Sequence, residues 1–367
     1  MPIDESDLER LIAARGAPSN ESAVADVFVD LIEDHVDRVE RDAQGNVIAT
    51  SDGNGDGTGA GEEGETLEVM IAAHTDELGL LIEDVTADGF LEYAKVGGHY
   101  KGNFPGQRVR VGPDDVLGVI GSKCRHYMDE DEKESIDEES LLIDVGATAP
   151  EEVEALNVRP GDFATWDREY DHLANGRITG RALDDRLALA MLVAVAREAE
   201  TDATVHYVAT VQEEVGLRGA RMAGFAVDPD VAIALEIFPA DDYPAADEPT
   251  PSVELDAGPV VEFADGASEY LFNGVLVDRE TLAWFRRAAD RAAVDLQHAV
   301  MMGGTTDATE FQQVRGGRYA GAIAVPCRYT HSPVETVSIE DTNETVDVLL
   351  EALSTPFPDP DDEDVRR

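Results

Sequence analysis

The chain has 367 residues, enough for two domains or for one domain with an insertion, and enough to bury a sizeable core. Acids outnumber Lys plus Arg by 78 to 28, a formal charge of −50 at pH 7, and a surface of that sign excludes nucleic acid and anionic membranes as partners. With 43% apolar residues and clear periodic segments, the charge fits a folded, heavily hydrated, halophilic type of protein and not a disordered chain.

The N-terminus, Met1-Pro2-Ile3-Asp4-Glu5, has no basic segment followed by an apolar one, and no apolar run is long enough to span a bilayer. The expected location is therefore cytoplasmic. Leu8, Leu11 and Ile12 share one face of an amphipathic helix that ends at Gly16-Ala17-Pro18. Ser19-Asn20-Glu21 reads as the cap of a second helix, which carries Val24, Val27, Phe28 and Leu31 at helical spacing. Val39 and Asn46-Val47-Ile48-Ala49 predict a hairpin, and 67–73 predicts a core strand running into His74-Thr75-Asp76-Glu77. Between them, a stretch with Asp52 first and Glu63 last formally fits the calcium-loop pattern. Its strand flanks and repeated glycines favour a solvated hairpin insert instead.

Across 80–166 the texture changes to short strands with glycine turns, and Val109, Val111, Val116, Leu117, Val119 and Ile120 supply strands for a small barrel. The charge run over 128–140 predicts a mobile surface loop. Cys124 and Cys327 sit in no CxxC pair and predict no disulfide framework. After Asp171 an α/β rhythm returns, with helices over 183–199, 279–293 and 339–353 and strands over 204–211, 231–236 and 319–325. The fold class is therefore α/β. One domain is built from 1–79 and 172–367, with an all-β module, 80–171, inserted in it.

Chemistry concentrates where the strands end. His74-Thr75-Asp76 follows one strand, Gln212-Glu213-Glu214-Val215-Gly216 a second, Glu236 ends a third, and His331 comes shortly after a fourth. Asp184-Asp185 opens a strongly apolar helix. Parallel strands would bring all of these to one edge of the sheet, where α/β proteins bind ligands. Two histidines and several carboxylates are a donor set for divalent transition metals. His74, Asp184, Glu214, Glu236 and His331 are enough for two ions roughly 3.5–4 Å apart that share a bridging carboxylate. Asp76 is placed to hold the other ring N–H of His74. Glu213 has no metal role and has the character of a general base, and as neighbours on an extended chain Glu213 and Glu214 are expected to project differently. His35, His99, His126, His172, His206 and His298 lack comparable acid partners and read as structural or surface residues.

Five blocks occur in order: His74-Thr75-Asp76-Glu77-Leu78-Gly79, Ala182-Leu183-Asp184-Asp185-Arg186, Gln212-Glu213-Glu214-Val215-Gly216, Gly303-Gly304-Thr305-Thr306-Asp307-Ala308 and His331-Ser332-Pro333-Val334-Glu335. Together with Val96-Gly97-Gly98 and Pro105-Gly106-Gln107-Arg108-Val109, they make the chain resemble the tetrahedral (TET) aminopeptidases over nearly its whole length. That family is also called glutamyl or deblocking aminopeptidases, and its members are sometimes named endoglucanases. The resemblance implies a phosphorylase/hydrolase-like α/β/α metallopeptidase domain with an inserted, PDZ-like β-barrel that pairs subunits, and dimers assembled into a hollow homododecamer. It implies two zinc or cobalt ions per subunit, bridged by Asp184, with His74 and Glu236 on one and Glu214 and His331 on the other. Glu213 is then the general base and Asp76 the support of the histidine. The family commonly has Asp where this chain has Glu236.

The expected activity is removal of N-terminal residues from short peptides with a free amino terminus. Gly303, Gly304, Thr305, Thr306 and Asp307 line the first-residue pocket, since glycines let backbone approach a ligand. The same turn also reads as a helix cap through Asp307-Ala308-Thr309-Glu310. A metal-dependent deacylase or carboxypeptidase on the same fold would share the ligands. A glycoside hydrolase would need a carboxylate pair but has no use for two histidines.

Overall fold

In the computed structural model, residues 2–53, 66–130, 141–168, 170–244, 252–269 and 271–366 are described. Most of the calcium-loop pattern and most of the 128–140 charge run lie outside them. The chain opens with helices Glu5–Ala13 and Ser22–Ile32 and the antiparallel hairpin β1 (Arg38–Arg41) and β2 (Val47–Ser51). β3 (Glu68–His74) then leads into six short strands: β4 (Gly79–Val85), β5 (Leu91–Val96), β6 (Gln107–Val111), β7 (Val116–Ile120), β8 (Ile143–Asp144) and β9 (Phe163–Trp166). These six close into a barrel in the order β4-β5-β8-β7-β6-β9 around Leu80, Ile82, Leu91, Phe104, Val109, Val111, Ile143 and Trp166. Strand alternation explains that core, because Val109, Val111 and Ile120 point in while Leu117 and Val119 point out. The short helix Pro150–Ala155 within this stretch has no counterpart in the sequence reading.

The chain returns through β10 (Asp171–His172) and β11 (Arg177–Gly180) to a long helix, Leu183–Glu198, and then to β12 (Thr204–Thr210) and β13 (Val231–Pro239), with helix Arg218–Val227 between them. β14 (Val260–Ala267), helix Arg279–Ala292, β15 (Gln297–Met302), helix Ala308–Gln312, β16 (Tyr319–Arg328), β17 (Glu335–Ser338) and helix Ile339–Leu353 complete it. The large sheet runs β1-β2-β12-β3-β13-β16-β17-β11-β10, with β14 and β15 branching from β16. Its centre, β12, β3, β13 and β16, is parallel, so four C-terminal strand ends lie side by side.

Both faces of that centre are covered, which is why its strands are apolar along most of their length. On one face Ile71, Tyr207, Ile233, Leu235, Ile323 and Val325 pack on the helices, above all on Leu183–Glu198, which is buried from Leu187 to Ala196. Each fully buried Leu, Ile or Val there stabilises the fold by about 1.5–3 kcal/mol. On the other face the strands carry Ala72, Ala232, Ala234, Ala320 and Ala322, small enough to seat helices Arg218–Val227 and Ala308–Gln312 closely.

Candidate functional site

The parallel register sets the site. Thr210 of β12 lies beside His74 of β3, and Glu236 of β13 lies beside Ala324 of β16, so His74 and Glu236 arrive at the same edge. His74 Nε2 is 2.9 Å from Asp184 Oδ1 and 3.9 Å from Glu236 Oε2. His331 Nε2 is 3.4 Å from Asp184 Oδ2 and 3.6 Å from Glu214 Oε1. Asp184 therefore stands between the two imidazoles, one oxygen toward each. Two groups of donor atoms lie within 4.8 Å of one another, His74 with Asp184 and Glu214, and His74 with Asp185 and Glu236.

Asp185 is the residue that sequence reasoning missed. Its Oδ2 accepts the His74 backbone N–H at 3.1 Å, while its Oδ1 is buried with no hydrogen-bond partner among the described residues. The sequence places the acid pair at the start of a helix, yet Asp184 and Asp185 both have non-helical φ/ψ and the peptide between them is cis. The helix proper begins after them.

Glu213 and Glu214 also sit differently from expectation. β12 ends at Thr210, and Gln212 is left-handed at φ +57, so a turn and not strand alternation directs the two side chains. Asp76 fixes that turn, its Oδ1 accepting the Glu213 N–H at 3.0 Å and its Oδ2 the Glu214 N–H at 3.1 Å. The ring N–H of His74 is held by the backbone carbonyl of Asp76 at 3.1 Å, with the carboxylate further off at 3.6 Å. The Glu213 carboxylate makes no hydrogen bond among the described residues, and the fields of His74, Glu214, Asp307 and Asp76 act on it.

The turn at 303–307 is anchored from below. Thr306 N–H and Oγ1 donate to Asp265 Oδ2 at 2.8 and 2.9 Å, and Gly266 N–H donates to Gly304 O at 2.6 Å. Asp307 is buried and accepts from Thr210 Oγ1 at 2.6 Å, directly behind His74. Asp265, buried on β14, has no sequence signal because only the long-range pairing of β14 brings it here. Beneath the site, Arg181 Nη1 donates to Glu77 Oε2 at 2.5 Å, Arg186 Nη2 lies 3.3 Å from Glu77 Oε1, and Arg186 also donates to the Thr75 carbonyl.

Carboxylates crowded out of water resist ionising. Burial, helped by neighbouring acids, pushes Glu213, Glu236 and Asp185 well above the carboxylate range, Glu214 up to about 7 and Asp307 to about 6. Asp184 is the exception: burial would raise it, but hydrogen bonds from His331 and His74 outweigh burial and hold it low. Burial would lower both histidines, yet the bond to Asp184 and the surrounding acids raise His74 well above its ordinary value and His331 to about 10. The site thus holds more carboxyl groups than it can ionise unaided, a crowding that bound cations would relieve.

Fold and site together define an α/β protein with an imidazole–carboxylate donor set at the carboxyl edge of a parallel sheet. The model of the M42 glutamyl aminopeptidase family matches residues 53–348, and the chain belongs to that family. It is 31% identical to a lysyl aminopeptidase of Pyrococcus furiosus over 365 residues, 96% of this chain and 98% of that one. An aminopeptidase from the archaeon Desulfurococcus kamchatkensis superposes with a TM-score of 0.87 at 34% identity, covering 95% of this chain and 94% of its own. The TET1 peptidase of Pyrococcus horikoshii, which can assemble into a tetrahedron or a large octahedral shell, gives 0.81 at 29% identity over 95% and 99%. The protein is an aminopeptidase, a peptide-bond hydrolase, with the mixed α/β and β-barrel fold of those enzymes. No helix among its described residues is long and apolar enough to cross a membrane.

Proposed function

We propose that this chain removes N-terminal residues from short peptides at a site holding two divalent cations, zinc or cobalt, with Glu213 as general base. The observation that carries the reading is the position of Asp184, buried, with one oxygen toward each of His74 and His331. His74 and Glu236, with Asp185 beside them, suit one ion, and His331 and Glu214 suit the other. The unpartnered Asp185 Oδ1 and the stacked acids are the fit one expects of a cation site. When bound, such ions supply Lewis acidity for the scissile carbonyl and lower the pKa of water.

The chain's own groups do the rest. The Glu213 carboxylate stands free of hydrogen bonds among the described residues, on a turn clamped by Asp76, so it is available to take a proton from attacking water and return it to the departing amine. The acid surplus favours a substrate's free ammonium group, which fits an exopeptidase better than a deacylase. The turn at 303–307 borders the first-residue pocket in this reading. Division into a metallopeptidase unit, 1–79 and 172–367, and an inserted oligomerisation unit, 80–171, belongs to the same proposal, as do a dodecamer built from dimers and residence in a salty cytoplasm. The similarity to a shell-forming TET1 peptidase and the −50 charge support these in turn.

The test is a panel of aminoacyl p-nitroanilides in molar salt, with chelator and with added zinc or cobalt. Hydrolysis of free aminoacyl substrates that chelator abolishes and metal restores is expected. Activity confined to N-acylated substrates would replace the reading with the deacylase alternative, and activity indifferent to chelator would remove the metals from it.

A further inference from the structure

The inserted barrel reaches into the site. Between β5 and β6 the chain passes through Gly97, Gly98 and a turn at Lys101–Asn103. Gly98 O is 3.1 Å from His331 Nδ1, and Asn103 Nδ2 donates to His331 O at 3.3 Å. A carbonyl can only accept, so the Nδ1 of His331 must carry a proton, and Nε2 is left facing Asp184 and Glu214.

The two glycines are required by this approach. A Cβ on Gly98 would lie 2.8 Å from His331 Nδ1 and 3.0 Å from its Cε1. One on Gly97, whose φ of +91 already disfavours other residues, would lie 2.4 Å from Leu78 Cδ2 and 3.3 Å from Glu214 Oε2. The loop is not loosely laid there. His99 Nε2 donates to Gly79 O at 2.9 Å, and its ring packs against both Phe104 and Trp166 of the barrel core, with centroids 5.3 and 5.7 Å away. Trp166 in turn lines the same small cavity as Asp184, Glu214 and Glu335. His331 itself is left-handed at φ +61 and half-exposed, with its N–H on Glu335 Oε1 at 3.0 Å. Without the barrel loop, nothing else among the described residues binds its Nδ1.

We propose that the Gly97–Phe104 loop of the barrel is a positioning element of the active site, setting the tautomer and aim of His331 through the Gly98 carbonyl. It rests on the two-ion reading above. The inserted module then does more than pair subunits, because half of the cation site depends on its docking, and any movement of the barrel on assembly is transmitted to His331.

Cobalt titration of the metal-stripped full-length protein, followed by calorimetry and the visible cobalt spectrum, tests this. The wild type is expected to show two binding events. In Gly98→Ala the event involving His331 should weaken about 10- to 100-fold, the range found when the partner of a ligating histidine is disturbed, with its spectrum altered and the other event unchanged. Asn103→Ala, a milder change, should weaken the same event about 2- to 10-fold, the loss of one ordinary hydrogen bond. It decides the matter should Gly98→Ala not fold. Gly121→Ala is the control, since its added methyl meets nothing within 4 Å, and it should leave both events alone. Two unchanged events in Gly98→Ala and Asn103→Ala, or equal weakening of both, would overturn the role of the loop. A wild type that takes up no cobalt would overturn the metal reading on which it stands.

Discussion

Asp76→Asn separates two roles open to this residue. If its carboxylate mainly oriented His74, the change would loosen the metal. The distances say otherwise: the Asp76 carbonyl, which the substitution keeps, is 3.1 Å from His74 Nδ1, and the carboxylate is 3.6 Å away. The carboxylate instead takes the N–H groups of Glu213 and Glu214, one on each oxygen. Asparagine has a single acceptor oxygen, so whichever way the amide turns, one N–H is faced by another donor. Losing one hydrogen bond to a charged acceptor costs about 1.5–3 kcal/mol, and if that falls on the placement of the turn, kcat/KM drops by about 10- to 150-fold. Metal content, measured by elemental analysis, should stay at the wild-type level, and kcat/KM on an aminoacyl p-nitroanilide should fall within that range. Loss of metal in parallel with activity would refute the clamp and return Asp76 to the histidine. Activity within twofold of wild type would refute both.

The remaining predictions bear on the other acids. Glu213→Gln should keep its metal and lose about 100-fold or more in kcat, the usual contribution of a general base, and a fully active variant would end that assignment. Asp184→Ala should lose metal, whereas unchanged metal content would take it out of the bridging position. Glu262 on β14 tests the pH dependence of stability. It is fully buried, neither carboxylate oxygen has a hydrogen-bond partner among the described residues, and burial, with Asp265 nearby, pushes it from 4.5 to about 8. Because the folded form holds its proton more tightly than the unfolded form, stability is full below about pH 4.5 and falls as pH rises toward 8. Glu262→Gln should remove that fall, gaining on wild type by a few kcal/mol, on the order of 3–5, across the window and by nothing further above it. A difference in melting temperature that does not change with pH would contradict this.

Much of the architecture was legible because parallel strands and covering helices write strong periodic patterns. The helices over Glu5–Ala13, Arg279–Ala292 and Ile339–Leu353 and the strands before His74, Glu213 and Glu236 follow directly from apolar spacing. What escaped was short, mixed or held from afar. Helix Arg218–Val227 has only Gly219, Ala220, Ala223 and Gly224 buried, too little apolar volume to mark a face. β15, an edge strand joined to β14 alone, alternates between half-buried and exposed positions without a matching alternation of residue types, and β14 takes its place through pairing with residues over 60 positions away. Asp265 went unnoticed for the same reason. The contact between the barrel loop and His331 spans 233 residues in sequence, and two glycines give no hint of what they approach.

The acid doublets mark where local pattern stops being informative. In each doublet the two members have different work, and neither composition nor spacing says which is which. Asp185 holds the His74 N–H while Asp184 lies between the histidines. Asp76 holds the turn of Glu213 and Glu214, while Glu77 pairs with Arg181 and Arg186 and accepts the Gly16 N–H. Glu335 grips the backbone of Asp184 and His331 together, with N–H distances of 3.1 and 3.0 Å. The strand ends are the cause: a chain leaving a sheet strands its N–H groups, and in a buried crevice a carboxylate is the acceptor that satisfies two of them at once. A site needing several carboxylates for cations therefore needs further ones to hold the backbone that presents them. The surplus of acid around His74 and His331 is divided between those two demands, so substitutions at Asp76 and Glu335 should act on geometry and those at Asp184 and Glu214 on cation affinity.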